Sequence, residues 1–241
     1  MQTCHGTTEE RMCAPALVLD IDGVLVHVRG QNRGTAWYAR LREDLGIDPQ
    51  QLHDEFFRKK WSQIVSGQAD LREELASSLQ RIRPSVSVDE LTTYWFRNHS
   101  EVDHEVLDAI TEWADRTHGR LFLATNQEKY RADYLWHNLG LQRYFTSIFY
   151  SADMGLTKSE VEFFQQVGHL IAGADWRRAD ILFFDDDTRN VEVAVRAGWT
   201  ARLFTDVPAL RRVLGRWPSP DLRAPAGSSA SGDGRGAARL S

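Results

Sequence analysis

Residues 17–23 read LVLDIDG. Three apolar residues run into Asp20, a spacer, a second acid at Asp22, and Gly23. In an extended chain, residues i and i+2 point to the same face, so the two carboxylates repel each other. A fold tolerates that when a cation, a shared proton or a solvated loop relieves the repulsion. Two readings are open at this point: an exposed turn started by Asp22-Gly23, or the end of a buried strand that presents acids to something. The rest of the chain has to decide between them.

Similar apolar runs recur downstream: ALVLD at 16–20, RLFLAT at 120–125, SIFY at 147–150, DILFFD at 180–185 and ARLF at 201–204. None alternates strictly with polar residues, which is the pattern of strands covered on both faces. Helical periodicity separates the last four runs. In NQEKYRADYLWHNLG, Tyr130, Tyr134, Leu135 and Leu139 recur at three- and four-residue steps and the pattern stops at Gly140. KSEVEFFQQVGHLIAG and DTRNVEVAVRAG behave alike. Strands alternating with helices imply right-handed crossovers, and therefore an α/β fold with a Rossmannoid parallel sheet and helices on both faces.

The first gap is anomalous, because about a hundred residues lie between the first two strands, far beyond one crossover unit. They read as helices at 35–45, 49–65, 69–82, 88–97 and 103–117, of which only the last is needed for the crossover. The expected organisation is a leader at 1–15, a core at 16–29 and 101–215, an inserted helical cap at 30–100, and a disordered tail at 216–241. The tail is rich in Pro, Gly, Ser and Ala. Trp37, Trp61 and Trp95 fall inside the insert at helical spacing, which usually marks a core. The connections near 27–34 and 97–102 are its expected hinges.

Bulk properties narrow the function. A net charge of −5 argues against a generic nucleic-acid or anionic-membrane surface. The two cysteines are too few for a disulfide framework. The leader has no apolar core of a secretory signal, and no run of residues is long and apolar enough to span a membrane. The cytoplasm is the expected compartment.

In a doubly wound sheet, ligands sit beyond the carboxyl ends of the strands. Strand one delivers Asp20 and Asp22 there, strand two Thr125 and Asn126, and strand four Asp185, Asp186 and Asp187. The loop after strand three leads to Lys158. Carboxylates converging on one point call for a hard divalent cation with oxygen ligands, and Mg²⁺ is the natural choice. Each feature alone has a bland reading. Lys158 could be a solvated lysine, Thr125 a strand-end hydroxyl, and Asp185 to Asp187 a helix cap. Their coincidence at successive strand ends is what carries the argument.

With these residues in view, the chain resembles the haloacid dehalogenase (HAD) superfamily of aspartate-nucleophile phosphatases. LVLDIDGVL is similar to its first motif, LFLATN to its second, Lys158 to its third, and ILFFDDDTRNVEVAVRAGW to its fourth. The resemblance spans about 15–205, with the insert where the superfamily carries a helical type-1 cap. TNQEKYRADYL and SGQAD look most similar to the sugar-phosphatase-like branch. The resemblance implies that Asp20 is the nucleophile and that Asp22 is the general acid and base, its backbone carbonyl also ligating Mg²⁺. It implies that Thr125, Asn126 and the amides of Ile21 and Asp22 hold the phosphoryl oxygens, while Lys158 neutralises phosphate and Asp20. Asp186 is the expected direct metal ligand with Asp185 supporting it, the order of the pair staying open by one residue, and Asp187 starts the next helix.

Two departures are small: Ser159 stands where the family often has Pro, and Val24 where many phosphatases carry Thr. The implied activity is Mg²⁺-dependent hydrolysis of a small phosphorylated metabolite such as a sugar phosphate. A phosphomutase of the same superfamily and a non-catalytic binding module are the alternatives. Neither nucleic acid nor membrane is an expected partner, and the expected assembly is a monomer or homodimer. Trp37 is the candidate substrate contact in the cap, against core packing as its other reading. Arg58, Lys59 and Lys60 read as a solvated helix face.

Overall fold

The structure, a computed structural model, describes residues 14–27, 37–174 and 180–218. Most of the leader, the outbound connection beyond His27 and the tail beyond 218 lie outside the described residues, while Trp217, expected to open the disordered tail, is buried in the core instead. In chain order the elements begin with β1 (Ala16–Leu19) and β2 (Val26–His27), followed by α1 (Leu41–Leu45), α2 (Pro49–Leu52), α3 (Arg58–Val65), α4 (Leu71–Ile82) and α5 (Val88–Asn98). The chain returns through β3 (Glu101–Val102), α6 (His104–Thr117), β4 (Arg120–Thr125), α7 (Lys129–Asp133), β5 (Ser147–Tyr150) and α8 (Ser151–Met154). It ends with α9 (Val161–Ala172), β6 (Ile181–Asp185), α10 (Thr188–Arg196), β7 (Thr200–Leu203) and α11 (Val207–Leu214). Among these residues no helix is long and apolar enough to cross a membrane.

The five-stranded sheet is parallel throughout, in the order β5-β4-β1-β6-β7. Its strands lack alternation because both faces are covered. Leu17 and Leu19 of β1, Leu121 and Leu123 of β4, and Leu182 and Phe184 of β6 join the cluster formed with α6 and α11. Ala16, Val18, Phe122, Ala124, Ile181 and Phe183 point the other way, into the cluster formed with α9 and α10. β1 therefore lies at the centre, and the crossovers depart from it in both directions. That is the switch point where the loops after β1, β4 and β6 face one crevice.

The helices between β2 and β3 build a separate aromatic layer. Phe56, Trp95 and Phe96 are buried in it with Leu41, Leu52 and Leu75. α2 and α3 run together through a π-helical turn at His53–Phe57. The expected first helix at 35–45 starts only at Leu41, because a turn closes before it, with the Leu41 amide donating to the Tyr38 carbonyl. That turn drops Trp37 onto Trp95, the rings stacked 5.2 Å apart at 20°. With Phe57 and Tyr94 against its edges, Trp37 is 9% exposed. This is the core-packing arrangement weighed for Trp37 from the sequence.

Short-range features explain the local geometry. Asp48, Asp70, Ser87, Asp103 and Glu128 cap helix starts through backbone amides, Ser87 and Glu90 in a reciprocal capping box. Arg58, Lys59 and Lys60 pair with Asp54, Glu55 and Glu74, as a solvated face should.

The outbound and returning chains meet in a small antiparallel ribbon, with Val26 opposite Val102 and His27 opposite Glu101. Beyond it the helical layer meets the sheet domain through aromatic packing, with Phe96 on Tyr134 at 5.5 Å between ring centroids, and at several polar points. Asp70 accepts from the Tyr130 hydroxyl at 2.8 Å and from the Lys129 ammonium at 2.7 Å, besides the amides of Arg72 and Glu73. Burial alone would raise the Asp70 pKa, but these donors outweigh it and bring it down to about 2. A carboxylate shifted downward stabilises the fold above its ordinary pKa and loses that stabilisation as pH falls toward the folded value. At neutral pH, Asp70→Asn should cost about 1–2 kcal/mol, discounted for partial exposure, or roughly 2–8 °C in Tm. The gap between variant and wild type should shrink as pH drops from about 4 toward 2. Thermal melts across that range check it, and a gap that stays constant would refute the role of the charge.

Candidate active site

Each loop at the carboxyl edge is shaped by its sequence. β1–β6 pairing continues one step past the strand, with the Asp20 amide donating to the Phe184 carbonyl at 2.9 Å. The chain then folds sharply, and the Ile21 carbonyl accepts from the amides of Leu25 and Val26 at 2.9 and 2.8 Å. This turn needs Gly23, which has φ +83° and lies so close to Asp186 that a Cβ would meet the carboxylate Oδ2 at 2.0 Å. The loops after β1 and β6 are thus in contact through a missing side chain.

At the centre is Lys158, 2% exposed. Its Nζ lies 2.7 Å from Asp20 Oδ1 and 2.7 Å from Asp185 Oδ2. Burial by itself would lower the ammonium's pKa, but the adjacent Asp20 and Asp185 carboxylates more than reverse this and hold it above its usual value. Burial pushes Asp20 up to about 7, with Lys158 opposing and Asp185 and Asp22 adding to the rise. Lys158 precedes α9 by a turn, and the Asn126 side-chain oxygen accepts its backbone amide at 2.8 Å, so the loop after β4 sets the lysine's position. Thr125 ends β4 beside it, 2% exposed.

The acids after β6 divide their work. Asp185 is fully buried and saturated: it accepts from Lys158, from the Asp187 amide at 2.8 Å and from Asn190 Nδ2 at 3.1 and 3.2 Å. Asp187 caps α10 by accepting the Arg189 amide. Asp186 is exposed at the rim, its carboxyl raised by burial of part of the group and by the neighbouring Asp185 charge. Asp20, Asp185 and Asp186 each offer a carboxylate oxygen within 4.8 Å of the others. An all-oxygen donor set of this density fits a hard divalent cation such as Mg²⁺, with Asp186 its exposed member.

Asp22 turns elsewhere. Arg131 grips it as a fork, Nη1 donating to Oδ2 at 2.6 Å and Nη2 to Oδ1 at 2.7 Å. Gln127 Nε2 donates to the same Oδ2 at 3.1 Å, and His99 Nε2 lies 3.6 Å from Oδ1. Burial would raise the Asp22 pKa, but the Arg131 charge and hydrogen bonds, with His99 and Gln127, carry it below the ordinary carboxylate value. Of the residues expected at the site, Asp20, Asp22, Thr125, Asn126, Lys158, Asp185 and Asp186 come together along this edge, with the Ile21 turn among them. Trp37 packs into the helical layer instead.

A family model of haloacid dehalogenase-like hydrolases matches residues 14–198. The chain belongs to this family. None of the curated proteins compared with it matches. Among solved structures, it is similar to a HAD family enzyme of Bacteroides thetaiotaomicron crystallised with magnesium and inorganic phosphate, at 20% identity and TM-score 0.64 over 79% of this chain and 94% of that one. It is also similar to a HAD-like family hydrolase of Porphyromonas gingivalis, at 22% identity and TM-score 0.64 over 83% and 97% of the two chains. A 2-haloacid dehalogenase of Pseudomonas syringae pv. tomato is similar at 19% identity and TM-score 0.57, over 84% and 99%. At these identities the likeness is one of fold.

Within this HAD fold, Arg131, Gln127, His99 and Asn190 are site residues that sequence reasoning passed over. The signal was present for one of them: Gln127 follows Thr125-Asn126 directly, at the strand end that faces the crevice. The Gly23 contact yields a prediction of its own. Gly23→Ala should displace the Asp186 carboxylate and weaken Mg²⁺ binding at least about tenfold, with a smaller loss of stability from the strained φ. Titration calorimetry with Mg²⁺ measures it, and unchanged affinity would mean that Asp186 does not hold the ion.

Proposed function

We propose that this HAD hydrolase is a Mg²⁺-dependent phosphatase acting on a small phosphorylated metabolite, with a sugar phosphate as the favoured class. The observation that carries the reading is the buried Lys158 ammonium, 2.7 Å from both Asp20 and Asp185, beside an exposed third acid. It supports reading Asp20 as a nucleophile held beside a fixed positive charge and a donor set for a divalent ion. The second acid of the strand-end pair, Asp22, is held by Arg131 and Gln127, which supports an acid–base role beside the nucleophile.

Asp20, Asp186 and the Asp22 backbone carbonyl would hold Mg²⁺, with Asp185 orienting Lys158. When bound, the ion would screen the acids and neutralise phosphoryl charge. Asp20 attacks phosphorus, a P–O bond forms to its carboxylate, and the ester P–O bond breaks. Asp22, which Arg131 holds ionised in the free protein and which therefore takes up a proton from solvent before this step, delivers that proton to the departing oxygen. Asp22 then removes a proton from water as that water attacks the aspartyl-phosphate phosphorus, and phosphate leaves with Asp20 restored. Lys158, Thr125, Asn126 and the loop amides of Ile21 and Asp22 stabilise the equatorial oxygens throughout. The helical segment, about 30–100, acts as a cap that shields this step from bulk water and sets substrate size.

The test is turnover of p-nitrophenyl phosphate with and without Mg²⁺, then a panel of phosphorylated metabolites. Chelator should abolish turnover and lower the melting temperature, since the ion relieves the acid cluster. Ca²⁺ should inhibit, its larger and looser coordination shell misplacing the in-line geometry. Absence of Mg²⁺-dependent phosphate release from every substrate would overturn the reading. Release of an isomeric sugar phosphate in place of inorganic phosphate would reassign it to a phosphomutase.

A further inference from the structure

Arg131 is 1% exposed and lies on α7, in the layer that faces both the crevice and the helical segment. Its fork on Asp22 uses Nη1 and Nη2, yet Nη2 also donates to the His99 backbone carbonyl at 2.6 Å. His99 ends α5, and the chain enters β3 two residues later. β3 pairs with β2, which leaves directly from the Asp22 turn, and the Asp103 amide closes the ribbon on the Leu25 carbonyl at 2.8 Å. One guanidinium therefore bridges the acid at the start of the outbound strap and the carbonyl at the start of the returning one.

The arginine is itself braced. Glu128 accepts the Arg131 amide at 2.6 Å and the Tyr130 amide at 2.8 Å, fixing the first turn of α7. Its Nε, buried, finds no acceptor among the described residues. The side chain sits where Asp22 and His99 require it, at the expense of its own hydrogen bonding. Gln127 makes a parallel link, holding Asp22 by its side chain while its amide donates to Ser151 Oγ, which donates to the Val65 carbonyl at the end of α3.

We infer that Arg131 is a positioning residue that ties the orientation of the Asp22 carboxylate to the place where the helical segment returns at His99. Movement of that segment over the crevice and seating of Asp22 then occur as one event. The inference rests on the phosphatase reading for the role of Asp22, but the tie itself is a matter of contacts. The planar fork meets both Asp22 oxygens and the His99 carbonyl in fixed geometry, which a lysine's single flexible ammonium does not reproduce, so lysine is not an equivalent replacement.

The experiment compares full-length Arg131→Met and Arg131→Lys with wild type in two ways. In turnover with Mg²⁺, Arg131→Met should lower kcat about 10- to 100-fold. The loss should be larger on phenyl phosphate, whose leaving oxygen needs a proton, than on p-nitrophenyl phosphate. Arg131→Lys should recover only a minor part, and adding Arg131→Met to Asp22→Asn should change kcat less than about twofold. Equal loss on both esters, or a full further loss in the Asp22→Asn background, overturns the inference. Independently of any turnover, hydrogen exchange of the amides at 22–26 and 99–103 should quicken together in both variants while the β4 and β6 amides stay protected. Unchanged exchange at either segment overturns the tie, whereas inactivity of wild type with this exchange pattern intact counts against the phosphatase reading alone. Should Arg131→Met fail to fold, Arg131→Lys keeps the buried charge beside Asp22 and carries both measurements.

Discussion

Asp20→Asn is expected to abolish Mg²⁺-dependent turnover of p-nitrophenyl phosphate, by roughly a thousandfold or more, with the circular dichroism spectrum unchanged. The amide is nearly isosteric but cannot attack phosphorus. The fold should survive because the substitution removes one charge from a cluster of like charges. Lys158 keeps Asp185 as a partner at 2.7 Å, and the β1 backbone pairing through the Asp20 amide is untouched. The melting temperature without Mg²⁺ should therefore stay level or rise, while its increase on adding Mg²⁺ should shrink, since Asp20 is one of the donors within 4.8 Å. Retention of more than a few per cent of turnover in a folded variant would remove Asp20 from the nucleophile's role.

Lys158→Met should act on stability as strongly as on catalysis. The lysine is 2% exposed and serves two carboxylates, so its removal leaves Asp20 and Asp185 facing each other without a buried counter-charge. Losing one partner of a buried ionic cluster costs about 3–5 kcal/mol, equivalent to about 6–20 °C in Tm for a chain of this size. Mg²⁺ should restore part of that loss, because it supplies positive charge to the same oxygens, but turnover should stay at least about a hundredfold down. Calorimetry with and without Mg²⁺ separates the two effects. A Tm within a degree or two of wild type would show that the lysine does not neutralise the pair.

The sheet was legible because burial on both faces leaves a mark that needs no tertiary information. Runs such as LVL and ILFF have no polar face, and their ends fell within a residue of the observed strands. The acids at the strand ends were legible for a related reason: nothing in a buried strand explains Asp20 or Asp185 except what lies beyond it. The division of labour between Asp185 and Asp186 was not, since it depends on which carboxylate Lys158 and Asn190 reach, and those partners come from other elements. Arg131 was hidden by its surroundings. In EKYRAD it reads as one charge among several on a polar helix, and only the packing of α7 against the His99 carbonyl buries it. The packing of Trp37 was not legible either, because proximity to a hinge in sequence says nothing about which aromatic ring will stack on it.

The central position of β1 has a bearing on how the protein is made. Its neighbours in the sheet, β4 and β6, are encoded far downstream, and β6 brings Asp185 and Asp186. As synthesis proceeds from the amino end, Asp20 leaves the ribosome long before either partner strand exists, with the helical segment emerging in between. Pairing across such sequence distances is slow and comes late in folding. The reactive carboxylate is thus born without its lysine, its companion acids or its loop contacts, and gains all of them in one cooperative step when β6 inserts beside β1. A nascent or truncated chain ending before β6 should be chemically inert, however well its helical layer has formed.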